Sequence, residues 1–92
     1  AFAYYRIVNN LLFQKRLYQV SIDYFQSAIR YNPTANAYYG LGIAYWQTGH
    51  SLRDVSLLKK AEESLKNAVQ MDPNHKRAQE QLNKLQSMLN RG

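Results

Sequence analysis

Residues 21–33, SIDYFQSAIRYNP, and residues 61–73, AEESLKNAVQMDP, carry the same arrangement of side chains. In each, a small residue (Ser21, Ala61) is followed four positions on by a large one (Phe25, Leu65), seven on by alanine (Ala28, Ala68) and twelve on by proline (Pro33, Pro73). The first three positions share one face of an α-helix. Alternating small and large residues on that face lets neighbouring helices approach closely while the spaces beside them are filled. Proline, which lacks an amide hydrogen and clashes with the preceding turn, stops each helix. The chain therefore reads as all-α, with no segment requiring a strand.

Working outward from these two segments, the spacing predicts five helices at about 2–15, 18–31, 35–48, 54–71 and 75–90. The stops are Pro33, Gly49 and Pro73, and the junction near Lys15-Arg16 has neither Gly nor Pro. Ile22, Phe25, Ala28 and Ile29 form the apolar face of the second helix, and Ala78, Leu82, Leu85 and Leu89 that of the last. In the fourth, Val55, Leu58, Ala61, Leu65, Ala68 and Val69 share a face, with Lys59, Glu62, Glu63 and Lys66 largely off it. In the first, Tyr4, Ile7 and Leu11 lie beside Tyr5, Val8 and Leu12, an apolar surface broad enough to need a cover.

At 92 residues and 46% hydrophobic content, the chain is long enough for one compact domain, but with a modest core. The absence of cysteine excludes disulfides and thiolate metal ligation. Twelve Lys+Arg against six Asp+Glu give a net charge of +6, which favours acidic partners. The most apolar stretch, residues 1–13, is interrupted by Arg6, Asn9 and Asn10 and falls short of the roughly 20 residues that cross a bilayer, so no membrane span is expected. No secretory leader is evident either; the sequence leaves localisation open and favours a soluble, intracellular protein.

Between the two proline-terminated segments stands Tyr38-x2-Leu41-Gly42-x2-Tyr45, with Gly49 four residues later. Together with Ser21/Phe25/Ala28/Pro33 and Ala61/Leu65/Ala68/Pro73, this resembles the tetratricopeptide repeat. The resemblance covers nearly the whole chain. It implies antiparallel helix–turn–helix repeats stacked as a short right-handed superhelix in one domain, residues 1–92. Repeat 1 would span about 2–34, repeat 2 about 35–74 and a capping helix about 75–90. The first repeat departs from the pattern at Asn9 and Leu12, and the second carries a seven-residue insertion near 50–60. Seven residues are almost two helical turns and keep Val55 and Leu58 in phase with Ala61 and Leu65. The fourth helix is therefore expected to start early, capped by Asp54 or Ser51, rather than to follow a loose loop.

The resemblance further implies a protein-interaction module or scaffold that binds a polypeptide in a concave groove. It places Arg6, Asn10, Phe13 and Gln14 there from the first repeat, Tyr39, Ile43, Trp46 and Gln47 from the second, and Arg77 and Gln81 from the last helix. Arg6 and Asn10, four apart, match two positions of the family's carboxylate clamp, and Arg77 fits a third. Gly40 and Gln81 replace other clamp residues, which points to a looser hold on an acidic peptide. The alternative is a structural segment of a longer repeat protein that self-assembles into a homo-oligomer through its first helix. Nucleic-acid binding by Lys76, Arg77, Lys84 and Arg91 is the least favoured binding mode, because no recognised motif or aromatic residue accompanies that stripe.

Nothing in the sequence calls for a cofactor, a metal or catalysis. His50 and His75 lack ligand-spaced partners, and Glu62 and Glu63, about 100° apart around a helix, diverge rather than converge on one bond. Neither a phosphate loop nor a nucleophile motif occurs.

Overall fold

The computed structural model describes the backbone of residues 2–91 and the side chains of residues 16–90. Four helices follow one another: α1 (Phe2–Tyr31), α2 (Ala35–Leu52), α3 (Val55–Met71) and α4 (Lys76–Arg91). No strand occurs among the described residues. Each helix packs on the next, α1 on α2, α2 on α3 and α3 on α4. The chain is all-α, as the periodicity predicts, but the described residues form four helices where five are expected.

The missing break is at Lys15-Arg16, where α1 continues without interruption for 30 residues. Nothing between Phe2 and Tyr31 lacks an amide hydrogen or a Cβ, so no residue there opposes continuation of the backbone ladder. The helix–turn–helix expected of residues 2–34 is thus a single rod of about 45 Å. It ends one residue before Asn32-Pro33, where proline stops it. Thr34 then caps α2, its hydroxyl accepting from the Ala37 amide at 3.1 Å.

A second correction concerns Gly49. Rather than breaking the chain, it lies buried within α2, which runs on to Leu52. The turn comes later, where Arg53 adopts the left-handed conformation (φ 53°) and Asp54 caps α3. Asp54 accepts from the Ser56 amide at 3.0 Å and from the Ser56 hydroxyl at 2.7 Å. Residues 50–60 therefore complete both arms of the α2–α3 hairpin rather than forming a loose loop, and of the two candidate caps it is Asp54 that acts. Gly49 is needed for close approach: a Cβ there would stand 3.1 Å from the Asp54 carbonyl oxygen and from Leu57 and Leu58.

The core has two lobes. Ile22, Phe25 and Ile29 of α1 meet Leu41, Ala44 and Tyr45 of α2 in one. Ala61 and Leu65 of α3 meet Leu85 of α4 in the other, with Tyr39, Tyr45 and Trp46 of α2 against them. Tyr45 belongs to both, and its hydroxyl accepts from Gln26 of α1 at 2.8 Å. The expected apolar face of α3 is buried at Ala61, Leu65 and Ala68, whereas Val55, at the hairpin tip, is exposed.

Gly42 sits where α2 crosses α3, and a Cβ there would fall 2.8 Å from Leu65 Cγ and 3.3 Å from the Ala61 carbonyl oxygen. Leu65 is fully buried and has nowhere to retreat. Gly42→Ala is expected to cost a net ~1–2 kcal/mol, overpacking outweighing the better helix propensity of alanine, and urea unfolding followed by circular dichroism checks it. Hydrogen bonding to Ser56 holds the Asp54 carboxyl below the usual carboxylate range. Because the folded state favours the charged form, its contribution is present above the unfolded value and disappears as pH falls through the lowered folded one. A pH series of melting temperatures should show an acid-side decline that is smaller in Asp54→Ala.

Candidate functional site: the groove between α2 and α4

Tyr39, Ile43, Trp46 and His50 recur at intervals of four, three and four residues along α2, so they line one helical face together with Gln47. Across from them, Gln81 and Met88 of α4 stand seven residues apart. These seven side chains border an open groove of about 550 Å3. Tyr39 and Trp46 also pack against the Leu65–Leu85 lobe, so the groove wall is continuous with the core and its shape is fixed by packing. A shallower hollow of about 530 Å3 adjoins it, lined by Asn83, Lys84 and Ser87, with Trp46 and Met88 shared as the ridge between the two.

The position of α4 depends on His75. Its Nδ1 accepts from the Ala78 amide at 3.1 Å, which caps the helix, and its Nε2 lies 2.9 Å from Asn36 Oδ1 on α2. With Nδ1 accepting, Nε2 carries the proton and donates to Asn36. The imidazole also packs on Tyr39, ring centroids 5.0 Å apart. One side chain thus caps α4, ties it to α2 and supports an aromatic wall of the groove.

Five of the ten expected groove residues are brought together here: Tyr39, Ile43, Trp46, Gln47 and Gln81. Arg77 is exposed on α4, one turn before Gln81, and does not border the groove. Arg6, Asn10, Phe13 and Gln14 lie outside the residues whose side chains are described. Two lining residues, His50 and Met88, are additions. His50 continues the Tyr39–Ile43–Trp46 spacing once α2 is known to pass Gly49, and Met88 follows Gln81 by two turns.

Neither hollow has a carboxylate among its lining residues, and Lys84 is the cation that borders the second. Glu80 lies between Arg77 and Lys84 on α4, and no ion pair links them. The site therefore offers aromatic and thioether surface, amide groups and positive charge. Among the described residues no three His, Asp or Glu side chains cluster closely enough to hold a metal ion, and no helix is long and apolar enough to cross a membrane. No family model, curated protein or solved structure matches the chain.

His75→Ala removes the cap and the link to Asn36, and is expected to destabilise the domain by ~1 kcal/mol. Amide hydrogen exchange should show faster exchange at Ala78. His75→Asp, which retains an acceptor for that amide, should restore its protection without restoring the link to α2.

Proposed function

We propose that this chain is a protein-interaction module akin to tetratricopeptide repeats, holding an acidic polypeptide in the α2–α4 groove. The supporting observation is an open, apolar-aromatic groove, free of carboxylates along its lining and bordered on one side by Lys84. An apolar side chain of the ligand would rest on Ile43, Trp46 and Met88, a type of aromatic anchor that often dominates peptide interfaces. Carboxylates beside it would face Lys84 and, further along α4, Arg77, adding rate and selectivity more than affinity. Gln47 and Gln81 can each donate to and accept from an extended ligand backbone. The right-handed stacking of the family belongs to the same proposal, with α2 and α3 as its complete repeat and α4 as the helix that closes the groove. The reading involves no catalytic step.

Trp46 is the sole tryptophan and reports on the site directly. Titration with acidic peptides containing one Leu or Phe should shift its emission, and the charge-reversed peptides should not. Lys84→Glu should weaken binding several-fold and flatten its dependence on salt. Ile43→Ser should weaken it at every salt concentration. Equal response to acidic and basic peptides, or binding that survives both substitutions, would remove this reading.

A further inference from the structure

α1 has two apolar faces. One carries Ile22, Phe25 and Ile29 into the core, and the other, about 140° away around the helix, carries Leu17, Val20, Tyr24 and Tyr31. The exposures on the second face are large: Leu17 50%, Val20 64%, Tyr24 68% and Tyr31 94%. Their spacing of three, four and seven residues, with Ser27 between the last two, is that of a coiled-coil seam. Among the described residues no other helix covers it, since α2 lies on the opposite face and the main helix–helix contacts are α1 with α2, α2 with α3 and α3 with α4.

The charges beside the seam indicate what covers it. Arg16 and Asp23 lie seven residues apart on the same flank, and neither makes an ion pair among the described residues. Asp23 is held in place by Gln19, whose amide donates to it at 3.0 Å. The other flank carries the small, uncharged Ser21 and Ala28. When two helices pair antiparallel, like flanks face one another; when they pair parallel, opposite flanks do. Two copies of α1 pairing antiparallel about a two-fold axis near Val20 would set each Arg16 against the partner's Asp23. Leu17 then meets Tyr24 of the partner subunit, and the two Val20 side chains meet at the axis. A register centred between Asp23 and Arg30 would also match charges, but it overlaps the helices for only their last turns and leaves Leu17 and Val20 bare.

We infer that the outer face of α1 is a self-association surface on which a second copy of this chain docks antiparallel, with reciprocal Arg16–Asp23 pairs fixing the register. The surface lies apart from the α2–α4 groove and does not depend on what that groove binds. Sedimentation or light scattering of the intact chain, from low micromolar to sub-millimolar concentration, should show the mass rising toward twice the monomer value. Arg16→Glu and Asp23→Arg should each remain monomeric with unchanged helicity, because each places like charges together twice. An equimolar mixture of those two variants should regain the doubled mass, both pairs being again opposite in sign. Because the chain has no cysteine, a mixture of Leu17→Cys and Tyr24→Cys should form a disulfide between unlike copies under mild oxidation. That second test holds even if a charge variant fails to fold. A monomeric wild type, dimers indifferent to charge reversal, or Leu17→Cys cross-linking mainly to itself would each overturn the inference.

Discussion

The close approach of α2 to α3 at Gly42 sets the dimensions of everything around it. With no Cβ on Gly42, Leu65 reaches the α2 backbone, and from there it also supports Tyr39, Trp46 and, across α3, Leu85. Leu65 and Leu85 are the largest fully buried side chains, so there is no slack elsewhere in this lobe to absorb a shift. The missing methyl group at Gly42 thereby contributes to the width of the groove between α2 and α4, together with the His75 tether between those helices. Since Trp46 and Tyr39 turn one side to the core and another to the groove, the site is stiff without any hydrogen bond within the groove itself.

The parts of this arrangement that could be read beforehand are those fixed by helical periodicity. Ala61, Leu65 and Ala68, then Ala78 and Leu85, form repeating small-large stripes, and all five are fully buried. Pro33 and Pro73 act through their own covalent structure and stop helices whatever surrounds them. Asp54 is legible for a similar reason, since a short side chain that accepts from the amide two residues on favours a helix start almost anywhere. The assignment of Tyr39, Ile43, Trp46 and Gln47 to one wall comes instead from the resemblance, and the four do line the groove together.

What could not be read depends on neighbours. Gly49 has the appearance of a break, yet its lack of a side chain serves the approach of Asp54, Leu57 and Leu58, and the turn falls on Arg53, a residue type with no preference for the left-handed region. Because α2 therefore continues past Gly49, His50 joins the groove. At Lys15-Arg16 the expected junction has neither Gly nor Pro behind it, and no backbone feature there enforces a turn. The uninterrupted α1 is what leaves Leu17, Val20 and Tyr24 without cover.

The uneven use of acidic residues explains why the groove side keeps its positive charge. Asp54 and Asp72 are occupied in turns, accepting from the Ser56 and Asn74 amides, while Glu62 pairs with Lys66 one turn away on α3. Asp23 is held by Gln19 on the far face of α1. Four of the six carboxylates thus serve local structure away from the groove, and Glu80 is the acid on α4, between Arg77 and Lys84. The net charge of +6 is therefore not spread evenly: negative charge is concentrated where it shapes helix ends and helix flanks, and the groove margin is left cationic. On the proposed function, an acidic ligand approaching that margin would meet little competition from the protein's own carboxylates, and what it gained on arrival would be set by the apolar surface of Trp46 and Met88.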